Sequence, residues 1–371
     1  MYIDCHVHCR DEEQAKKETI EHALSVAKDS NLSAIFDMPN VARPVTTRKR
    51  VLERFELAKS VHSIIFYGVY IGLTSNPEQI KEAVETYREF FPKKDSGMGV
   101  VGLKMFAGKS VGDLAVVEPE KQREVYAQLA KLNYRGVLAV HCEKESEMKE
   151  KLWRADKPWT HSDARPEIAE IASIQDQITS AIATRYEGKL HICHVSTPES
   201  VGIVDAFRNT IYISCGVTPH HLLLSNEVMK RKHGINGILY KVNPPLREEF
   251  TRKNLLDKFK RGMIDILESD HASHTLGQKT GEPDEEGKPQ YLSGIPNLAS
   301  WHDFIPLLMK EGVREDLMKK VAFDNVNEIF GTQISKIEWP MYSLVPKDRA
   351  LEYVFDPYAS LEEIFQDHDW E

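Results

Sequence analysis

No apolar run in these 371 residues approaches the roughly 18 residues of a membrane-spanning helix. The amino terminus opens Met1-Tyr2-Ile3-Asp4-Cys5-His6, with neither a basic start nor the apolar stretch of a secretion signal. The expected location is therefore the cytoplasm, with no membrane contact. Positive charge is not in excess. Lys and Arg number 48 against 57 Asp and Glu, a formal net charge of -9, which excludes the basic face of a nucleic-acid-binding protein. Cysteine is scarce and odd in number: Cys5, Cys9, Cys142, Cys193 and Cys215 suit reduced thiols and exclude a disulfide framework. There is no repeat of fixed period and no low-complexity segment.

What is present is an ordinary globular mixture, 41% hydrophobic and 28% charged, enough for a sizeable core. The length suits one large domain or two ordinary ones, and a single α/β barrel takes about 250 residues or more with insertions. Short β-rich runs fall at 2–8, 33–38, 63–73, 98–106, 136–142, 189–195, 210–215 and 263–269. Several are near-continuous apolar runs, as parallel strands buried on both faces require. Helical patterns lie between them at 12–29, 47–60, 77–90, 119–132, 166–186 and 198–207, several opening on proline. Eightfold strand–helix alternation predicts an α/β fold of the (β/α)8 TIM-barrel type, with a doubly wound open sheet as the competing topology. The barrel is expected over residues 1–331, with 332–371 as a C-terminal extension packed on it. Two stretches, 143–165 and 275–291, read as long loops of the kind that are functional or mobile.

The polar residues on these strands are unusual. His6 and His8 are two apart on one strand, so both imidazoles share a face. Lys104, His141 and His194 fall near the ends of strands 4, 5 and 6, and Asp270 follows strand 8. All six lie at carboxyl ends, where barrel enzymes keep their active sites. Four imidazoles and a carboxylate suit zinc or a similar borderline metal. Each has an ordinary reading alone: a satisfied polar residue, a helix cap, a lysine reaching out of the barrel. Their recurrence at one end of one barrel favours the site. Lys104 interrupts Val100-Val101-Gly102-Leu103-Lys104-Met105-Phe106, with Gly102 expected to clear space beside it. A buried unpaired ammonium tends to lose its proton, and the neutral amine can form a carbamate with carbon dioxide. Strand alternation turns Cys5 and Cys9 toward the helices, and Cys142 and Cys193 similarly, as small buried hydrophobes behind the site.

At this point the sequence resembles the dihydroorotase family of the amidohydrolase superfamily. The carrying runs are Asp4-Cys5-His6-Val7-His8-Cys9-Arg10-Asp11, Asp37-Met38-Pro39-Asn40, Gly102-Leu103-Lys104, Ala139-Val140-His141-Cys142-Glu143 and His191-Ile192-Cys193-His194-Val195-Ser196. Further on come Cys215-Gly216-Val217-Thr218-Pro219-His220-His221, Lys241-Val242-Asn243-Pro244-Pro245-Leu246-Arg247, Asp270-His271-Ala272-Ser273-His274 and Ser293-Gly294-Ile295-Pro296. They span nearly the whole chain in order.

The resemblance implies two divalent metal ions, usually zinc. His6 and His8 would hold the more buried ion, completed by Asp270, and His141 and His194 the other, with a carbamate on Lys104 bridging them. It also implies attack by a hydroxide held between the metals, with Asp270 as proton shuttle. Arg10, Asn40 and His274 would hold a substrate carboxylate, which a guanidinium grips well, and Asn243 would read the ring. The implied reaction is reversible conversion of L-dihydroorotate to N-carbamoyl-L-aspartate in pyrimidine synthesis. The partner is thus a small molecule, and a homo-oligomer is left open. The alternatives are another cyclic amidohydrolase (dihydropyrimidinase, hydantoinase or allantoinase), or a catalytically silent partner of aspartate transcarbamoylase. Departures from the family pattern are Glu12-Glu13 where Pro-Gly is common and Ser273 where Pro is usual. With only five residues before His6, the N-terminal share of a flanking β-sandwich is expected to be missing, and 332–371 to be its remnant.

Overall fold

The computed structural model describes residues 2–109, 114–231, 235–337 and 353–358. Eight strands follow one another: β1 Tyr2–Val7, β2 Leu32–Asp37, β3 Phe66–Gly72, β4 Met98–Phe106, β5 Val137–His141, β6 Lys189–Ile192, β7 Ile213–Val217 and β8 Ile266–Leu267. They pair in chain order and every pair is parallel. Parallel neighbours need a crossover, and helices supply it. The first four are α1 Ile20–Asp29, α2 Arg48–Ser60, α3 Pro77–Phe90 and α4 Pro119–Lys131. Glu167–Ala183, Pro198–Phe207, Glu249–Lys260 and Trp301–Lys310 complete the ring. The fold is a (β/α)8 barrel.

Local chemistry sets the helix starts. Thr19, Thr47, Asn76 and Thr197 each accept a backbone N–H of the first turn, and Pro77, Pro119 and Pro198 occupy first positions where no N–H is needed. Thr19 also explains why the helix expected over 12–29 is broken. A short 3-10 turn at Glu12–Gln14 ends, Asp11 accepts the N–H of Ile20, and Thr19 caps a new helix.

The strand expected over 263–269 shrinks to two residues, so ladder pairing alone does not close the barrel. A side chain substitutes for it. The buried Asp4 carboxylate accepts the backbone N–H of Ser269 at 3.1 Å and the indole N–H of Trp301 at 3.0 Å. Beyond β8, Val7 and His271 form a parallel bridge, with His8 N–H donating to the His271 carbonyl at 2.9 Å.

Two apolar layers result. The larger lies between strands and helices and includes Val7, Cys9, Leu103, Val140, Cys142, Ile192 and Cys215. The smaller fills the barrel with Ile3, Cys5, Phe36, Phe66, Tyr70, Val101, Val137, Cys193, Ile266 and Phe330. Phe330 comes from the helix Asn325–Phe330, which ends at Gly331 in the left-handed conformation. Its ring meets Phe36 at 5.2 Å and Tyr70 at 6.0 Å, plugging the end of the barrel where the strands begin.

This layering corrects the reading of the cysteines. Cys9 and Cys142 do lie behind the site, but Cys5 and Cys193 face the interior. Alternation fails on β1 because its pairing with β2 slips between Asp4 and Val7, so Cys5 and His6 both turn inward. On β6 alternation holds, and it places Cys193 inside with His191. The space beside Gly102 is taken by the Val137 carbonyl and the Tyr70 ring, which would lie 2.9 and 3.3 Å from an added Cβ.

The two expected loops are not structureless. Residues 143–165 carry three single 3-10 turns and the short helix His161–Ala164, and 275–291 carry the capped helix Leu276–Thr280. They meet where Trp153 and Tyr291 pack with tilted rings, centroids 5.2 Å apart, beside Lys241. Of the expected extension 332–371, residues 338–352 and 359–371 lie outside the described residues. Ile337 N–H donates to Ser33, and the Tyr358 hydroxyl donates to Asn297 at 2.9 Å. No described helix is long and apolar enough to cross a membrane.

Candidate active site

Two backbone devices bring the expected polar residues to the carboxyl end of the barrel. His6, Lys104 and His141 sit on strands and point inward. Arg10, His194 and Asp270 lie past strand ends with φ of 45°, 36° and 47°. This left-handed region is strained for a side chain with a Cβ, and such strain gathers at functional sites. Arg10 therefore reaches the cavity by a turn past the end of β1.

The result is one cavity whose wall includes His6, His8, Arg10, Asn40, His141, His194, Asn243 and Asp270. His6 Nε2 and His8 Nε2 lie 3.2 and 3.1 Å from the same Asp270 oxygen. One donor atom from each of the three lies within 4.8 Å of the others. His141 Nδ1 and His194 Nε2 face each other at 3.2 Å. The two pairs adjoin, His6 and His194 ring centroids being 5.2 Å apart.

The electrostatics suit metal ions. Burial pushes His6 down to about 4, aided by Lys104, and holds His8 and His194 well below the ordinary histidine range. These imidazoles are neutral near pH 7 and offer lone pairs, as a metal requires. Burial raises the Asp270 carboxyl above its ordinary value. His194 Nδ1 is buried without a hydrogen-bond partner. Converging lone pairs with little proton to share between them are a poor hydrogen-bonded cluster and a good ligand set, so the residues fit divalent ions.

Lys104 is fully buried, and its ammonium donates to Cys193 Sγ at 3.0 Å and sits 5.1 Å from the Phe106 ring centre. It makes no ion pair with a carboxylate among the described residues. The substrate-binding set is brought together in part. Arg10 is buried and held down to about 10 by desolvation, still charged at neutral pH, and it donates to the Asn40 carbonyl at 2.9 Å. The Asn40 side chain is turned to His8, Oδ1 to Nδ1 2.8 Å, so it orients a histidine. Asn243 Oδ1 accepts from Ser293 and faces His161. His274 lies just behind the cavity wall, its Nε2 donating to the Ser293 carbonyl and its Nδ1 without a partner.

Two buried carboxylates in the site had no role assigned from sequence. Glu143 faces His141 Nε2 at 3.1 Å and pairs with Arg165. Burial opposes its ionisation, but Arg165 and His141 hold it well below the usual carboxylate range. Glu268 faces His6 Nδ1 at 3.3 Å. Its signal was in the sequence: a charge within Ile264-Asp265-Ile266-Leu267-Glu268, two residues before Asp270.

No protein-family model matches the chain. Among curated proteins, it is 30% identical over 345 residues to a dihydroorotase of Fusobacterium nucleatum subsp. nucleatum, covering 91% of this chain and 74% of that protein. It is 30% identical over 328 residues to a dihydroorotase of Methanosarcina mazei, covering 85% of this chain and 65% of that one. It is 32% identical over 298 residues to a dihydroorotase of Thermococcus kodakarensis, covering 80% and 59%. The chain thus spans somewhat less than two thirds of the length of the first curated relatives it matches. Among solved structures, an L-hydantoinase (dihydropyrimidinase) from Arthrobacter aurescens superposes with a TM-score of 0.75 at 21% identity, over 89% of this chain and 70% of that one. A D-hydantoinase (dihydropyrimidinase) from Thermus sp. gives 0.71 at 19% identity, over 89% and 70%. At these identities the structural likeness speaks for the fold alone, while the Fusobacterium match reaches most of both sequences. The chain belongs to the dihydroorotase family.

Proposed function

We propose that this chain is a metal-dependent cyclic amide hydrolase that interconverts L-dihydroorotate and N-carbamoyl-L-aspartate in pyrimidine synthesis. The observation that carries the reading is the convergence of His6, His8 and Asp270 beside His141 and His194 in a cavity walled by Arg10. His6, His8 and Asp270 would hold one divalent ion and His141 and His194 a second, the donor set favouring zinc. Lys104, buried and without a carboxylate partner, is the candidate for a carbamate that would contribute anionic oxygens to both. Bound there, the ions would supply Lewis acidity and activated water near neutral pH.

The chain's own groups do the rest. Asp270, raised by burial, takes a proton at its carboxylate and delivers it to the nitrogen released as the ring opens. Arg10 grips the substrate carboxylate with paired hydrogen bonds. His274 backs the same corner from behind the cavity wall, its Nε2 tied to the Ser293 carbonyl, and Asn243 reads the ring amide. Asn40 serves by holding His8.

Incubating purified, zinc- and bicarbonate-supplied protein with dihydroorotate, dihydrouracil, hydantoin and allantoin tests this. Dihydroorotate is expected to be opened and the uncharged rings left intact. Turnover of the others with none of dihydroorotate would overturn the substrate assignment. Protein that takes up no metal would favour a silent partner role.

A further inference from the structure

Glu268 has no part in the chemistry above, yet four polar groups converge on it. Its Oε2 lies 3.3 Å from His6 Nδ1, 3.6 Å from His191 Nε2 and 3.6 Å from Cys5 Sγ, and neither ring nitrogen has any other partner. Its Oε1 accepts the backbone N–H of His194 at 2.5 Å. The side chain is 1% exposed. Room for it is made on β7, where an added Cβ at Gly216 would stand 2.5 Å from Oε1. A buried carboxylate is expensive, and an apolar side chain would fill this position more cheaply. What it holds is therefore the reason to seek.

The two groups that matter come from different halves of the site. His6 belongs with His8 and Asp270, and His194 with His141. We propose that Glu268 is a positioning residue that sets both halves at once: it fixes the tautomer of His6 through Nδ1 and the left-handed turn of His194 through its N–H. This rests on the two-metal reading above. A carboxylate facing Nδ1 keeps the proton there and the lone pair on Nε2, which points to Asp270. The N–H of His194 is held where φ is 36°, a conformation that a non-glycine residue keeps only when its surroundings impose it. One side chain thereby registers the two histidine pairs against each other. His191, with Nδ1 on Ser214 Oγ at 2.9 Å, sets its Nε2 3.6 Å from the same Oε2.

The informative substitution is Glu268→Gln. The amide keeps the size, and its oxygen can still accept from His194. That leaves its NH2 toward His6 Nδ1, which drives the proton to Nε2 and spoils a ligand. The readouts are zinc stoichiometry, zinc affinity by chelator competition, and the melting temperature of metal-free protein. The expected result is a metal-free melting temperature at or above that of the unaltered chain, with zinc affinity lowered about 10- to 100-fold and both equivalents lost over the same chelator range. Gly216→Ala, which displaces Glu268 without altering it, should weaken zinc in the same sense. It also decides the matter if Glu268→Gln does not fold. Unchanged affinity in the folded variants would overturn the proposal. So would loss of one equivalent alone, since His6, Cys193 and Glu268 also lie close enough to share an ion and Glu268 would then be a ligand. If the unaltered chain binds no zinc, the functional reading itself fails. If it binds two and the variants bind two equally, only the role of Glu268 fails.

Discussion

The two ends of the barrel interior are made by the same strands and do opposite work. Where the strands begin, Ile3, Phe66, Val101, Val137 and Ile266 pack with Phe330 into a closed apolar plug. Three or four residues further along the same strands stand His6, Lys104 and His141, and Glu268 follows Ile266 by two. One end gains stability from burial. The other holds a dense set of buried charges and imidazoles that an apolar filling would make more stable. Stability and chemistry are thus separated along the strand axis by little more than one turn of chain, and a substitution's effect should depend on which end it strikes.

The largest expected contrast comes from Asp270→Asn. Turnover of dihydroorotate should fall about 100- to 10,000-fold, as loss of a proton-transferring group does, while the melting temperature of metal-free protein holds or rises. Normal turnover in this variant would remove Asp270 from the reaction. Phe330→Ala should do the reverse, costing about 3–5 kcal/mol in urea unfolding with kcat of the folded fraction unchanged. A large loss of kcat there would show that the two ends are coupled. Arg10→Ala should lower kcat/KM for dihydroorotate about 10- to 100-fold, the range of a lost charged hydrogen bond, with bound zinc unaltered. The smallest effect concerns Glu18, which faces His22 at 2.7 Å and the barrel-closing His271 at 3.0 Å. Burial pushes its carboxyl up, but these hydrogen bonds outweigh it and hold it at about 2. Its contribution should be complete above about pH 4.5 and vanish as pH falls toward 2. Urea titrations at pH 5 and pH 3 should therefore converge in Glu18→Gln relative to the unaltered chain.

Much of the catalytic end was legible because it follows strand rules. His6, His8, Lys104 and His141 could be placed from position and parity alone, and the motifs supplied the roles of Asp270 and His194. Parity failed where backbone departs from regular strand. The slip in β1 turns Cys5 inward beside His6, and no pattern in Asp4-Cys5-His6-Val7 announces it. Arg10, His194 and Asp270 arrive through left-handed turns that sequence does not mark without glycine. Long-range partners were least visible. Asn40, expected from the resemblance to hold substrate, lines the cavity and also faces His8 from a loop 32 residues away, a contact that no sequence pattern announces. Glu268 meets a histidine 262 positions earlier, a proximity that exists only once β8 closes on β1. The brevity of β8 was hidden for a related reason: Asp4 carries pairing that a ladder would otherwise provide.

The central claim, that two histidine pairs and Asp270 form one metal site that opens a cyclic amide, is tested most directly by titration. Metal-free protein would be supplied with bicarbonate and zinc in increments while dihydroorotate hydrolysis is followed. The expected curve rises from no activity to a plateau at two zinc ions per chain. Activity in metal-free protein, or none at any zinc level despite full loading, would contradict it.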